Sequence, residues 1–198
     1  MYKNMIYLYT GKPGSGKTYI LTYLAHSFYK KKQVYSNYFI DLPGIKFFKN
    51  LKDLENVQNA IVLIDEAQIY LNSRKWDILP EFFQYKLQQH RKDGIDIFAS
   101  VQHEARLDTV FREIVGRFFV VKNFFNLIFF AFEYSPDDIK KTSLKNYLGF
   151  DFYFFNKKIA NSYDTFKKVD YSVSNDDFIY KDTKIRICPK CGSKKYLL

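Results

Sequence analysis

Residues 11 to 18 read Gly11-Lys12-Pro13-Gly14-Ser15-Gly16-Lys17-Thr18, and what flanks them narrows the fold sharply. Met5 to Thr10 is a short apolar and aromatic run that suits a buried parallel strand. Lys17 to Lys32 reads as a helix, with Ile20, Leu21, Leu24 and Phe28 at helical spacing and a Lys30-Lys31-Lys32 run suited to the negative end of its dipole. A strand, a glycine-rich turn and a helix in this order form the Walker A pattern. The glycines let successive backbone N–H groups point at phosphate oxygens. Lys17 reaches the β- and γ-phosphates, and Thr18 offers a hydroxyl to Mg²⁺ at a helix start that already favours anions. The expected nucleotide contacts are Gly11, Lys12, Pro13, Gly14, Ser15, Gly16, Lys17, Thr18 and Tyr19, with ATP and Mg²⁺ as the cofactors.

The rest of the chain continues the alternation. Val34 to Ile40 reads as a second strand, closed by the turn signal Asp41-Leu42-Pro43-Gly44. Ala60-Ile61-Val62-Leu63-Ile64-Asp65 is a third, wholly apolar until its carboxylate. Pro80 stands at a helix start, and Glu81 to Lys92 follows until Asp93-Gly94. Ile95 to Val101 and Phe118 to Lys122 are further strands, with an apolar stretch to Tyr134 as a strand pair at the sheet edge. Strands alternating with helices indicate an α/β domain of the RecA-like P-loop NTPase class, its mainly parallel central sheet flanked by helices. We place this core at residues 1–134 and a small C-terminal appendage at 135–198, where a short helix at Ile139 to Leu148 is the clearest regular element.

The third strand supplies the second half of a nucleotide site. In an open α/β sheet, an Asp at the carboxyl end of a strand beside the glycine loop lies where ligands bind. Asp65 is expected to hold Mg²⁺, and Glu66 to polarise the water that attacks the γ-phosphate. Without the upstream loop, the same Asp-Glu pair would read as a helix cap with a favourable acid in the first turn. Gln102 ends the fourth strand, where an amide can touch both γ-phosphate and lytic water; a plain polar strand end is the alternative. Arg91, in His90-Arg91-Lys92-Asp93-Gly94, suits either an arginine supplied to a neighbouring subunit's phosphate or a cation at a helix C-terminus. Arg106, Arg112 and Arg117 are rivals for the first role.

Composition bounds the partners. The 198 residues carry a net charge of +10, which points to nucleic acid or an anionic membrane surface, although an A/T-biased genome favours lysine codons and would give the same excess. Aromatic residues make up 20%, which excludes a disordered chain. The two cysteines, Cys188 and Cys191, make no disulfide framework. Cys188-Pro189-Lys190-Cys191-Gly192 has the local shape of half a zinc knuckle, but a closed site needs four ligands. Zn²⁺ shared between chains, an incomplete knuckle and redox chemistry all stay open. No signal-peptide layout precedes the first strand, and the most apolar run, Phe124 to Phe132, is about half the roughly 20 residues of a membrane-spanning helix. A cytosolic location is expected.

Taken together, Tyr9-Thr10 with the glycine loop, Val34-Tyr35-Ser36-Asn37, Ile64-Asp65-Glu66-Ala67-Gln68, His90-Arg91-Lys92-Asp93-Gly94-Ile95-Asp96-Ile97 and Ser100-Val101-Gln102 resemble the FtsK/HerA branch of P-loop motors. The likeness runs from Ile6 to about Phe125 and is strongest to the Zot-type ATPases of filamentous phages and the packaging ATPases of small DNA viruses. The resemblance implies an ATPase that translocates double-stranded DNA through a homo-oligomeric, usually hexameric, ring with ATP between subunits. Zot-type proteins carry a transmembrane helix after this domain, and this chain shows none. That favours a motor filling a capsid, with capsid proteins as partners, in the host cytoplasm or with the virion. A virion-export ATPase at a membrane and a nucleotide-gated DNA-binding module are the alternatives.

Overall fold

Alternation of side chains along three wholly buried strands builds the molecule outward from its sheet. The computed structural model describes residues 4–71, 81–103, 107, 109–136, 146–163, 179–180, 185–187 and 194–196. Strand β1 (Ile6–Thr10) enters the glycine loop, and helix α1 (Lys17–Phe28) leaves it. Strands β2 (Gln33–Ser36), β3 (Lys46–Phe47) and β4 (Ala60–Ile64) follow. Helix α2 (Glu81–Gln89), β5 (Asp96–Val101), helix α3 (Thr109–Ile114) and β6 (Arg117–Phe124) complete the parallel part. Then come β7 (Ile128–Tyr134), β8 (Gly149–Phe154) and helix α4 (Lys157–Asn161). The eight strands form one sheet in the order β3-β2-β4-β5-β1-β6-β7-β8. Pairing is parallel from β3 to β6 and antiparallel from β6 to β8. Near the C-terminus, β9 (Ile179–Tyr180), β10 (Ile185–Ile187) and β11 (Lys194–Tyr196) form a separate antiparallel sheet.

Successive strand residues feed opposite faces, as the two-residue period of a strand requires. Ile6, Leu8, Val62, Ile64, Ile97 and Ala99 pack with Phe83 and Leu87 of α2 and Phe111 of α3. Tyr7, Tyr9, Ile61, Leu63 and Phe98 turn to the other face, against Ile20, Leu21 and Leu24 of α1. Tyr7 stacks on Phe98 and Tyr9 on Phe119, with ring centroids 4.5 and 4.9 Å apart. Burying each such ring contributes roughly 1.5–3 kcal/mol. Two covered faces explain why these strands read as continuous apolar runs.

Several boundaries differ from the sequence expectation, each for a local reason. Helix α1 stops at Phe28, because the N–H groups of Lys31 and Lys32 both return to the Phe28 carbonyl. Lys32 therefore does not cap the helix dipole. It reaches Asp96 at 3.1 Å, a carboxylate only 1% exposed that otherwise has the Met5 N–H but no countercharge. Strand β2 ends at Ser36, not Ile40. The region from residue 135 on was expected to be a loose appendage, yet β8 pairs with β7 along Glu133 to Ile128 and extends the core sheet. Helix α4 then packs beside α1, where Ser162 Oγ meets His26 Nε2 at 2.9 Å. The helix expected at Ile139 to Leu148 falls mostly outside the described residues, as do Cys188 and Cys191. No helix among the described residues is long and apolar enough to cross a membrane.

Candidate nucleotide site

The parallel strands all end at one edge of the sheet, and the sequence-predicted residues Lys17, Thr18, Asp65, Glu66 and Gln102 are gathered there. The glycine loop leaves β1 with Gly11, Gly14 and Gly16 at positive φ (155°, 77° and 96°). Gly16 has no substitute, because a Cβ there would collide with the ring of Phe129 from β7. Asn123 of β6 donates from Nδ2 to the Gly14 carbonyl at 3.2 Å, so the antiparallel edge braces the loop from outside. Ser15 is buried with its Oγ unpartnered. An orphaned hydroxyl in a glycine-rich loop at a helix start fits an incoming phosphate.

Lys17 is 6% exposed and donates from Nζ to the carbonyls of Gly11 (2.8 Å) and Lys12 (3.1 Å). Burial lowers its pKa, while Asp65 and Glu66 pull the other way. Thr18 Oγ1 donates to Asp65 Oδ2 at 2.9 Å, joining the first turn of α1 to the end of β4. Ser100 Oγ donates to the other Asp65 oxygen. Burial raises the pKa of Asp65, and the Ser100 and Thr18 hydrogen bonds oppose that rise. Tyr163, pushed up to about 12 mainly by burial, lies within the field of the same carboxylate.

Glu66 adopts a left-handed backbone, φ 52° and ψ 48°, uncommon outside glycine and asparagine. Its carboxylate accepts from Gln102 Nε2 at 3.1 and 3.3 Å and also from Gln68 Nε2. The glutamate and the strand-end glutamine named from the sequence thus touch one another.

Two predicted residues behave differently. Tyr19 is buried, its ring stacked on Phe129 at 4.6 Å, and its hydroxyl donates to Phe154 O and accepts from Asn156 N–H, both at 2.8 Å. Its side chain locks the β8 region onto α1 rather than facing the loop. Arg91 is exposed and precedes β5, at the opposite edge of the sheet; its carbonyl accepts from Asn4, just before β1. The six residues of β5 span about 20 Å, so Arg91 is out of reach of its own chain's Glu66. Of its rivals, Arg117 is engaged with Glu133 at the start of β6, Arg112 lies in the last turn of α3, and Arg106 lies outside the described residues.

Asn37 and Ser100 lie inside the sequence motifs with no role assigned from the sequence. Both turn out to hold Asp65. A polar residue just past β2 and another one short of the end of β5, the two strands beside β4, were the available signal. Among the described residues no cluster of three or more His, Cys, Asp or Glu forms a metal site; the Thr18–Asp65 pair is the place where a phosphate-bound cation fits.

This fold and loop define a RecA-like P-loop NTPase architecture. A family model described as Zonular occludens toxin (Zot) matches residues 41–134, which include Asp65, Glu66, Arg91 and Gln102 but not the glycine loop. The structure is similar to the N-terminal domain of zonular occludens toxin from Neisseria meningitidis, with a TM-score of 0.61 and 23% identity over 81% of this chain and 98% of that one. It is also similar to the genome packaging NTPase B204 from Sulfolobus turreted icosahedral virus 2 in complex with AMPPCP, at TM-score 0.52 and 10% identity, over 77% and 98%. No curated protein matches the chain. The chain therefore resembles both Zot-type and viral packaging ATPases, as its motifs indicated.

Proposed function

We propose that this chain is an ATPase that translocates double-stranded DNA as a homo-oligomeric ring, packaging a viral genome. The observation that carries the reading is the convergence of Lys17, Thr18, Asp65, Glu66 and Gln102 at one sheet edge, with Gln102 on the Glu66 carboxylate. Backbone N–H groups of the glycine loop and Lys17 bind the phosphates. Thr18 and Asp65 would hold Mg²⁺, which neutralises charge on the phosphate oxygens. Glu66 accepts a proton from the attacking water, and Gln102 orients both.

The ring rests on Arg91 and on a surface. Arg91 stands at the opposite edge from its own site, so a phosphate contact by this arginine would be to a neighbour's site; a cation at the end of a helix is the alternative. Beside the loop, the β6–β7 turn and β8 expose Phe125 (91%), Leu127 (63%) and Phe154 (61%), a patch of the kind that marks contact surfaces. The +10 charge supplies attraction for DNA. Mixing Arg91→Ala with Lys17→Ala protein, each inactive alone, is expected to restore part of the ATPase activity, and native mass measurement to show a closed oligomer. No recovery at any mixing ratio contradicts the trans arginine.

The Zot match favours a second reading, an assembly ATPase acting at a membrane. Co-purification with membranes or a membrane partner, without DNA stimulation, distinguishes it. Zinc at Cys188 and Cys191 stays a proposal that metal analysis of the purified protein decides.

A further inference from the structure

The hydrogen bonds around Asp65 hold more than its carboxylate. The last ladder bond between β2 and β4 runs from Asn37 N–H to Leu63 O at 3.2 Å. Beyond it the β2 backbone turns away, and the Asn37 side chain takes over as the strand partner. Its Oδ1 accepts from Asp65 N–H at 2.7 Å, and its Nδ2 donates to Asp65 O at 2.8 Å. A side-chain amide has the donor and acceptor spacing of a peptide, so it continues the ladder by one residue.

The Asp65 carbonyl belongs to the peptide unit joining Asp65 to Glu66. The N–H of that unit, on Glu66, donates to Ser100 Oγ at 3.2 Å. One peptide plane is therefore gripped at both ends, by Asn37 on one neighbouring strand's end and by Ser100 on the other. This plane sets the direction of Glu66, whose left-handed backbone persists only where its surroundings determine it. If the plane turned over, Glu66 would swing off Gln102.

We propose that Asn37 is a positioning residue: it clamps the Asp65–Glu66 peptide so that the Glu66 carboxylate faces Gln102 and the γ-phosphate. This rests on the reading of Glu66 as the base for ATP hydrolysis. Asn37 touches neither the Asp65 carboxylate nor the glycine loop, so removing its amide separates positioning from binding.

Two variants test it: Asn37→Ala, which removes both bonds, and Asn37→Asp, which keeps an acceptor for Asp65 N–H but loses the donor to Asp65 O. Both are expected to lower kcat about tenfold or more with nucleotide Kd within about threefold, the pattern of an interaction felt in the transition state. Hydrogen exchange provides a readout independent of turnover. The amides of Asp65 and Glu66 are expected to exchange faster in Asn37→Ala, and that of Glu66 in Asn37→Asp, with those of Ile61 to Ile64 unchanged in both. Full kcat in either variant overturns the proposal, as does exchange that accelerates along the whole of β4, which marks a merely structural role. If the wild-type chain hydrolyses no ATP, the function reading fails, while the exchange pattern still decides whether Asn37 holds this peptide.

Discussion

Replacing Lys17 by alanine is expected to weaken ATP binding about tenfold to a hundredfold and to reduce hydrolysis below about one-hundredth. The side chain is buried at the base of the glycine loop, with Nζ on the carbonyls of Gly11 and Lys12 and the Asp65 and Glu66 carboxylates in its field. An ammonium so placed exchanges two neutral carbonyl acceptors for anionic phosphate oxygens, which adds direct attraction between opposite charges to bonds that are already charge-assisted. Alanine leaves only backbone donors for the phosphates. Calorimetric titration with ATP and a phosphate-release assay check both numbers. The unfolding temperature is expected to shift by less than about 5 °C, because the Gly16–Phe129 contact and the Asn123 hydrogen bond still brace the loop.

Glu66→Gln is expected to separate binding from chemistry. The amide keeps the size of the side chain but cannot accept a proton, so kcat is expected to fall about 10²- to 10⁴-fold. ATP affinity is expected to hold within about threefold, since Thr18, Asp65 and Ser100 bond one another and not Glu66 side-chain atoms. Single-turnover phosphate release beside equilibrium binding measures the two effects. A variant that hydrolyses within about fivefold of wild type would remove Glu66 from the base role.

These two residues were readable from sequence because their chemistry fixes local geometry. A glycine-rich loop between a strand and a helix offers its backbone N–H groups to an anion, and with that loop upstream an Asp ending an all-apolar strand reads as a cation ligand rather than a helix cap. Gln102 was readable by position, because β5 had to lie beside β4. What remained hidden depended on side chains replacing backbone. Strand β2 looked as if it continued to Ile40, yet the ladder passes to the Asn37 amide and the backbone departs. Lys32 looked like a helix-end cation, but the buried Asp96 lies 64 positions away and draws it off.

The edge of the sheet was harder for another reason. Gly149–Phe154 has aromatic rings on both faces, at Phe150, Phe152 and Phe154 and at Tyr153, so its pattern carries no clean apolar-polar alternation to announce a strand. Only the pairing with β7 and the burial of Tyr153, opposite the exposed Phe152 and Phe154, reveal it. The β6–β7 turn places Phe125 and Asn126 at φ 53° and 56°, a left-handed pair expected for asparagine but not for phenylalanine. The placement of Arg91 across the sheet from its own site could not be read from a helix-end motif. It follows only from the direction of β5.

The decisive measurement is phosphate release from ATP by the intact wild-type protein with Mg²⁺, with and without double-stranded DNA. The site geometry predicts hydrolysis that requires Lys17 and Glu66, and the proposed function predicts that it rises when DNA is present. Tight ATP binding with no phosphate release under either condition, or equal release from the Lys17→Ala protein, would contradict a DNA-translocating ATPase built on this loop.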